Sequence, residues 1–346
     1  MKNRNIACTT IALTLGFAAL CPIAQAVIPA PDGGYPGGNT AEGQSALFSL
    51  STGTYNTGLG LYSLLSLTDG NFCTGIGAGA LLSNAADSNT ATGAGALLSS
   101  TTGGSNTANG AFALFTNSTG TSNTATGSSA LQSNTTGSNN VAAGFQALFS
   151  NDTGDFNTAN GFQALFSNTT GIANIATGPG TLFHNIDGGG NTGTGANFVL
   201  YNNTHGGGNT ANGDFTLANN VDGNFNTADG WAALSNNVHG SANTAIGWNA
   251  GQGVTTANNV ICIGKDVLGA DVDNSCYVGN IHGATIDPAT AAAVGVDATG
   301  KLGTVASSRR FKHDIKPMED ASNAILALKP VTFHTKATRR TRPALV

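Results

Sequence analysis

Charged side chains are scarce in this sequence, in which Asp, Glu, Lys and Arg together make up 9% of the 346 residues. Between residues 27 and 300 one basic residue, Lys265, stands against fifteen acidic residues, which gives this part a net charge of −14. Binding to nucleic acid through its phosphates depends on Lys and Arg, so we predict no nucleic-acid partner. From residue 301 onward, ten basic residues against three acidic ones give +7. This basic tail could contact an acidic surface, but its composition favours solvated disorder.

Patterns that bind metals or phosphates are also sparse. Six His residues are scattered without ligand spacing, which indicates solvated loop positions: His184, His205, His239, His282, His313 and His334. Asp271 and Asp273 could hold a cation, but the Gly-Gly-x-Gly-x-Asp rhythm of calcium-binding β-rolls is missing, so surface positions are favoured. The GGGN stretches at 188–191 and 206–209 are followed by no Lys-Ser/Thr pair, which argues against phosphate binding. We predict no metal and no cofactor.

The first 26 residues have the pattern of a secretory signal. Lys2 and Arg4 precede a short apolar run, Ile11–Leu20, and residues 24–26 (AQA) fit the small-x-small cleavage rule. The apolar run is shorter than the roughly 18–20 residues of a transmembrane helix. We therefore predict an exported protein, secreted or at the cell surface, with no transmembrane anchor.

Three cysteines follow the signal, so at most one intrachain disulfide can form among Cys73, Cys262 and Cys276. An exported protein meets oxidising conditions, which makes Cys262 with Cys276 the candidate pair. Two buried free thiols are the alternative, and the sequence leaves this choice open.

The sequence is rich in a 17-residue repeat. The stretch GFQALFSN occurs at 144–151 and again at 161–168. Thirteen units read N-T-A-x-G-x-x-A-L followed by a polar turn such as SNTTG, and they start at 39, 56, 73, 89, 106, 123, 140, 157, 174, 191, 209, 226 and 243. The fifth residue is always Gly, the first is Asn except at Cys73, and the ninth is Leu except at Val199 and Gly251. Such fixed periodicity is the signature of a solenoid.

The repeat unit predicts two short strands and two turns per coil, because 17 residues are too few for two helices and Asn, Thr and Gly disfavour helix. In the first strand, alternation puts Asn and Ala on one face and Thr on the other. The Gly serves a positive φ or a close backbone approach, and buried Asn side chains bond between coils. The Leu stripe lies either in the coil interior or at a trimer seam. Sequons such as those at Asn117 and Asn134 follow from the turn composition and imply no glycosylation.

The predicted fold class is all-β: a parallel β-roll or β-solenoid of about thirteen 17-residue coils, roughly 60 Å long, with a short C-terminal helical segment. The helical segment is Met318–Leu328, which is bounded by prolines. Alternating residues after the last repeat predict further strands that close the open end of the sheet: Ile261, Ile263, Tyr277, Val278 and Ile281. The predicted domains are a signal (1–26), a lead-in (27–38), the repeat domain (39–257), capping strands or neck (258–300) and a C-terminal segment (301–346).

The pattern NTAxGxxAL, over about residues 39–253, resembles the head repeats of trimeric autotransporter adhesins. The resemblance implies a left-handed parallel β-roll, an exception to the usual right-handed crossover, and a homotrimer with three chains side by side. The units are longer than those usual in that family, and the extra residues fall in the SNTTG turn. The resemblance therefore implies a roll with a longer loop on one side.

A second stretch, KLGTVASSRRFKHDIKPMEDASNAILALKPVTF at 301–333, resembles the start of the intramolecular chaperone domain of endosialidases and phage tail fibres. That domain trimerises β-fibres and then cuts itself off. The resemblance places Ser307 and Lys312 at the family's catalytic Ser and Lys, with the same five-residue spacing, while Ser308 stands where Asp is usual. A neutral Lys beside a Ser can act as general base for the hydroxyl nucleophile.

The chain departs from that second family after LKPVTF (328–333). The following residues, HTKATRRTRPALV (334–346), are basic and show no apolar alternation. About 40 residues cannot bury a core of their own. We therefore expect a truncated copy of the domain that neither chaperones nor cleaves.

Three functions compete on these observations. The favoured one is an exported noncatalytic fibre or adhesin, trimeric, that attaches to an unknown surface or matrix ligand. The second is a self-processing fibre protein that releases a C-terminal chaperone through Ser307 and Lys312. The third is an ice- or crystal-binding solenoid with a flat file of threonines: Thr40, Thr57, Thr74, Thr90, Thr107 and Thr124. Four turn phenylalanines either bind a ligand or pack between coils: Phe149, Phe156, Phe166 and Phe225.

Overall fold

A computed structural model describes residues 35–282, 284–287, 291, 294–296 and 300–304. The chain divides into two compact units, Met1–Gly283 and Ala284–Val346, which we treat separately. The predicted signal at 1–26 and the predicted helix Met318–Leu328 lie outside the described residues.

The first unit is a β-solenoid of about fourteen turns, in which every turn adds one strand to a single parallel sheet. A short 3₁₀ turn, Pro36–Gly38, precedes the sheet. The strands, in their order in the sheet, are β1 (Thr40–Glu42), β2 (Thr57–Leu59), β3 (Thr74–Ile76), β4 (Thr90–Thr92), β5 (Thr107–Asn109), β6 (Thr124–Thr126), β7 (Val141–Ala143), β8 (Thr158–Asn160), β9 (Ile175–Thr177), β10 (Thr192–Thr194), β11 (Thr210–Asn212), β12 (Thr227–Asp229), β13 (Thr244–Ile246), β14 (Ile261–Ile263) and β15 (Cys276–Val278). The predicted fold class is confirmed, and the extra strands expected after the last repeat are β14 and β15, which extend the same sheet.

Each coil contains one strand rather than the two that we predicted. The segment that begins with Ala-Leu still bonds to the next coil, since the Leu148 N–H donates to the Ala164 carbonyl at 2.9 Å. However, Gln146 and Leu148 have left-handed backbone conformations, with φ of 54° and 52°. Left-handed backbone conformations at alternate positions interrupt the extended backbone. The segment therefore bonds to the next coil without forming a strand.

The interior of the solenoid consists of stacked columns of small and branched side chains. In the coil that starts at Asn140, Ala142, Ala147 and Leu148 are fully buried. The Leu stripe therefore fills the coil interior, which decides between the two positions that the sequence allowed. Fully burying a Leu contributes about 1.5–3 kcal/mol, so this column is the main apolar contribution of each coil.

The 18-residue coil that starts at Asn191 keeps this interior by shifting its register. Its ninth residue, Val199, stands in the Ala column, because the Leu182 N–H bonds to the Val199 carbonyl at 2.9 Å. Leu200 occupies the Leu column and is fully buried. The extra residue is accommodated in the outer segment after Gly195, where it leaves the interior unchanged.

A column of buried Asn side chains joins successive coils, as predicted. Asn157 Oδ1 accepts a hydrogen bond from the Asn174 backbone N–H at 3.0 Å. Asn157 Nδ2 donates to the Gly171 carbonyl at 2.8 Å, and the Asn157 N–H donates to Asn140 Oδ1 at 2.9 Å. Each amide thus satisfies groups in its own coil and in the next one, as buried polar groups require.

A second buried Asn column runs beside the first, and the sequence analysis missed it. In it, Asn151 Nδ2 donates to Asn134 Oδ1 at 2.7 Å and to the Gly154 carbonyl at 2.9 Å. The same Gly154 carbonyl accepts from Asn140 Nδ2 at 2.8 Å, so the two columns meet at one carbonyl in each coil. Asn117 and Asn134, whose sequons we expected not to be glycosylated, belong to this column and are fully buried. Their side chains are therefore inaccessible to glycosylation in the folded chain.

The fifth-position Gly is required for both reasons given by the sequence. Gly161 has a φ of +148°, and a Cβ at this position would lie 2.6 Å from the carbonyl carbon and oxygen of Gly178 in the next coil. Any larger residue would clash with backbone that cannot move without separating the coils. The coil spacing therefore depends on glycine here.

The candidate disulfide between Cys262 and Cys276 is wrong. The three cysteines of the described residues are free: Cys73 and Cys262 are buried, and Cys276 is exposed. Cys276 pairs in register with Ile261, so strand alternation points it to the opposite face from Cys262. The alternative of two buried thiols fails as well, because Cys276 lies outside. Burial raises the pKa of the Cys73 and Cys262 thiols, which lowers their reactivity.

In the second unit, the described residues include one antiparallel pair of strands, β16 (Val294–Val296) and β17 (Leu302–Thr304). Val294 pairs with Thr304, and Val296 pairs with Leu302.

The first Asn column can be tested with a matched pair of substitutions in one coil. Asn157→Ala leaves the Asn174 N–H without its buried acceptor and removes a donor from the Gly171 carbonyl. At about 1–3 kcal/mol for each unsatisfied buried group, we expect a loss of about 2–4 kcal/mol in the free energy of unfolding, measured by urea denaturation. Asn160→Ala, at an exposed position of β8, should change it by less than about 0.5 kcal/mol. Equal effects of the two changes would contradict the buried ladder.

Candidate functional site

Because the interior is filled, any binding by the solenoid uses its outer sides. The sheet face consists of the first and third residues of each strand. The aromatic face consists of the outward residues between the fifth-position Gly and the second Asn column. The turn face consists of the residues between that column and the next strand.

The predicted Thr file lies on the sheet face and points outward. Thr40, Thr57 and Thr74 are neighbours in register on β1, β2 and β3, and their side chains are exposed or half-buried. The file is interrupted by apolar residues at Val141 and Ile175. A flat outward array of hydroxyls is therefore present, but it is not continuous along the whole sheet.

Aromatic rings stack from coil to coil on the aromatic face. Phe149, Phe166, Phe183 and Tyr201 form one such stack, with ring centroids 5.0–5.2 Å apart and interplanar angles of 6–19°. Of the four phenylalanines proposed from the sequence, Phe149 and Phe166 thus pack between coils. The other two lie on the turn face and are strongly exposed: Phe156 at 62% and Phe225 at 72%.

The aromatic face contains a shallow notch with a volume of 540 Å³. It forms where the column of Tyr201 continues with the small residues Ala218 and Ser235, beneath the larger rings of Phe215 and Trp231. Phe215 and Trp231 meet edge to face, with centroids 5.8 Å apart. The residues that line the notch carry no charge: Phe198, Tyr201, Asn202, Phe215, Ala218, Asn219, Trp231, Ala232, Ser235 and Gln252.

Histidines on the turn face pair with carboxylates. His205 Nδ1 lies 2.6 Å from Asp187 Oδ1, and His239 Nδ1 lies 2.7 Å from Asp222 Oδ1, with all four side chains about half exposed. The prediction of solvated loop histidines is confirmed at these two positions. His184 and His282 are exposed turn residues as well, and the His184 ring also contacts Phe183 and Tyr201 edge to face. His313 and His334 lie outside the described residues.

Asp271, one of the two candidate cation ligands, is exposed, and its carboxylate is already bonded to hydrogen-bond donors. Asp271 Oδ1 accepts from the backbone N–H groups of Thr255, Thr256 and Ala257 at 2.7–2.9 Å. Its Oδ2 accepts from the Thr255 and Thr256 hydroxyls at 2.7 and 2.9 Å. Asp273 likewise accepts from the Asn258 N–H at 2.7 Å. The carboxylate oxygens are thus occupied by hydrogen-bond donors of the chain, which argues against a cation bound between Asp271 and Asp273.

The Asp271 carboxylate caps the last full coil. In earlier coils the same three N–H groups bond to a backbone carbonyl of the following coil, as Thr135, Thr136 and Gly137 do with the Asp152 carbonyl. At the end of the repeats a side chain supplies that acceptor. No group of three or more His, Cys, Asp or Glu suited to a metal occurs among the described residues.

Ser307 and Lys312 lie outside the described residues, so their relative geometry stays a prediction. The comparison with protein families does reach them: the family described as chaperone of endosialidase matches residues 307–344. The chain is thus similar over that segment to a chaperone of endosialidase, and it combines this segment with a β-solenoid, as a tail-fibre-like structural protein does.

The other comparisons add no relative. Neither the curated proteins nor the solved structures returned a match. Within the part of the chain that the structure describes, no helix has the length and apolar character needed to cross a membrane.

The Asp271 cap predicts a specific pH dependence of stability. The pKa of Asp271 lies well below its ordinary value, chiefly because the Thr255 hydroxyl donates a hydrogen bond to the carboxylate. The backbone N–H groups of Thr255, Thr256 and Ala257 lower the pKa further, whereas burial opposes the shift. A carboxyl whose pKa is lowered by folding contributes stability that is fully present above its unfolded pKa of about 3.9. That contribution is lost as the pH falls through the folded value.

We expect Asp271→Asn to lower the melting temperature at pH 7 and to weaken the acid dependence of melting below about pH 4. The control is Asp266→Asn, since the Asp266 carboxylate accepts from the Asn249 side chain at 3.2 Å and caps no coil. Calorimetric or circular-dichroism melts from neutral to acid pH measure both. Parallel pH profiles of Asp271→Asn and the wild type would contradict the cap.

Proposed function

We propose that this chain is the subunit of an exported, noncatalytic fibre that assembles as a trimer and mediates attachment to a surface. The observation that carries the proposal is the combination of a long β-solenoid with a segment similar to the chaperone of endosialidase. The interior of the solenoid is filled by buried Leu, Ala and paired Asn side chains, and its sides are long and regular. Such a shape suits reach and lateral contact.

Export rests on the signal pattern at residues 1–26 and is part of the proposal. Trimerisation is supported by the two resemblances, since adhesin heads and endosialidase-type fibres both pack three chains. The left-handed winding of the coils rests on the adhesin resemblance in the same way. Attachment is supported by the exposed outer faces, which carry more apolar side chains than a solitary rod requires.

The molar mass of the exported protein in solution tests the proposal directly. We expect light scattering on the purified protein to give about three times the mass of one chain, and electron microscopy to show short rods. Sequencing of its amino terminus should place the first residue near position 27. A single-chain mass at every concentration would overturn the fibre subunit, whereas a retained leader would overturn export alone.

Self-processing is a second candidate, and it is favoured by the family match, which spans both Ser307 and Lys312. In this mechanism Lys312 takes the proton of the Ser307 hydroxyl, and the hydroxyl oxygen attacks the carbonyl of Ala306. The Ala306–Ser307 amide bond breaks as the Ser307 nitrogen takes up the proton, and water then hydrolyses the resulting ester. We then expect mass spectrometry to find a chain that ends at residue 306, and Ser307→Ala to abolish that product.

Ser308→Ala is the matched control for self-processing, because it changes the neighbouring hydroxyl and leaves the proposed nucleophile in place. An intact wild-type chain, or equal cleavage in Ser307→Ala, would rule this candidate out. Binding of ice or another crystal by the Thr file stays a hypothesis, which the outward direction of the threonines permits and the interruptions at Val141 and Ile175 weaken.

A further inference from the structure

The aromatic face forms an apolar stripe along most of the solenoid. From Leu61 to Trp248 the stripe includes seventeen large apolar side chains, each exposed or half-buried: Leu61, Tyr62, Leu65, Leu82, Leu98, Phe112, Phe115, Phe145, Phe149, Phe162, Phe166, Phe183, Phe198, Tyr201, Phe215, Trp231 and Trp248. We propose that this face is the seam at which a second copy of the chain packs, side by side and level with the first. The inference rests on the proposed fibre and names the surface that assembles it.

The area of the stripe is in the range of a stable interface. Its exposed members are 37–53% accessible, as in Phe215 and Phe162, and one aromatic side chain presents roughly 150–250 Å². Together the seventeen residues expose on the order of 1,000 Å² of apolar surface. The largest apolar patch of an ordinary monomer is about 300–600 Å², whereas a standard interface buries about 800 Å² on each partner.

In the stacked part of the stripe, the orientation of the rings argues against a sugar chain as the occupant. Phe149, Phe166 and Phe183 stack within 6–7° of parallel, so each ring face is covered by the next ring and the edges point outward. A saccharide that packs on aromatic residues needs an open ring face. At the far end of the stripe, Trp248 stacks on Trp231 on one side and has Lys265 Nζ 5.1 Å from its ring centroid. Ring edges instead suit contact with other apolar side chains.

The length and rhythm of the stripe favour a copy of the same chain. Every coil from the one that starts at Asn56 to the one that starts at Asn243 contributes at least one apolar side chain, except the coil that starts at Asn123, and neighbouring coils are spaced at about 4.8 Å. A partner that covers the whole stripe must offer an equally long apolar surface with the same spacing. In a cyclic assembly whose axis runs along the rod, every coil lies level with the identical coil of its neighbours, so the match is automatic.

The charge distribution argues against the turn face as the seam. The solenoid is strongly acidic, and copies of it repel each other where carboxylates face outward. Asp152, Asp155, Asp187 and Asp222 lie on the turn face. Within the coils from Leu61 to Trp248, Asp214 is the acidic residue of the aromatic face, and its carboxylate accepts the Ala196 N–H at 2.6 Å. Two copies therefore meet with less repulsion through their aromatic faces than through their turn faces, while the sheet face, where Asp229 is the acidic residue of the same coils, is as weakly charged as the aromatic face.

A matched pair of charge substitutions in adjacent coils tests the seam in the full chain. Phe162→Glu places a carboxylate on the aromatic face, at a side chain that is 53% exposed, and Ile175→Glu does so on the sheet face, at one that is 45% exposed. We expect Phe162→Glu to weaken assembly at least tenfold. The variant should still have the mass of a single chain at concentrations ten times those at which the wild type dissociates. Ile175→Glu should remain assembled, and both should retain the circular dichroism of the wild type.

The tryptophans supply a second readout that uses the wild type alone and therefore does not depend on the folding of a variant. Both Trp residues of the chain, Trp231 and Trp248, lie on this face. In the assembled wild type we expect acrylamide to quench them several-fold less than in the dissociated chain. An assembled wild type whose tryptophans are freely quenched, or whose assembly is broken by Ile175→Glu and not by Phe162→Glu, would overturn the seam and leave the fibre intact. A wild type that is a single chain at all concentrations would overturn both.

Discussion

The structure depends on the requirement that every polar group inside a thin coil finds its partner in the coil above or below. The side chains of the interior columns are almost fully buried, so an unpaired amide there would cost about 1–3 kcal/mol. The Asn side chain meets the requirement because it offers two donors and an acceptor: Asn157 binds the Asn174 N–H through Oδ1 and the Gly171 carbonyl through Nδ2. Each coil is therefore incomplete alone, which makes the chain a cooperative stack rather than a set of small domains.

The same requirement explains how the two repeat units of unusual length are tolerated. In the 16-residue coil, Cys73 replaces the first Asn, and Asn84 bridges to the next coil by accepting from Asn89 Nδ2 at 2.8 Å. In the 18-residue coil the additional residue lies outside the columns, and Asn209 still bonds to Asn191 Oδ1 at 3.0 Å. Length varies where the chain faces solvent, whereas the interior columns keep their register. The cap at Asp271 follows the same logic, since it supplies an acceptor that the next coil no longer provides.

The sequence was sufficient for the fold class, the repeat boundaries, the buried Asn and Ala of each strand and the special role of the fifth-position Gly, because these depend on period-two alternation and on steric rules. It misled us about the second strand, because the left-handed backbone of residues such as Leu148 has no signature in a side chain that usually avoids it. The second Asn column was missed because its members read as ordinary turn residues. Its signal was available in the exact recurrence of Asn134 and Asn151 one repeat apart. The aromatic stacks on the surface were harder to predict, because the sequence aligns Phe149 with Phe166 but does not show that their rings stack until the coil geometry is known.

The aromatic residues on the outer surface are not needed to build the coil, and this separates their role from that of the interior. Gln132 stands in the same column as Phe149, and its coil keeps the usual bonds: the Ser133 N–H donates to the Phe149 carbonyl at 3.0 Å, and Leu131 beside it is fully buried. Ser235 occupies that column farther along with Leu234 still in place. A coil is thus complete with either a polar or an aromatic residue at this position. The rings add apolar surface that the isolated solenoid leaves in water, and burying that surface against another chain is the gain that would favour the proposed assembly.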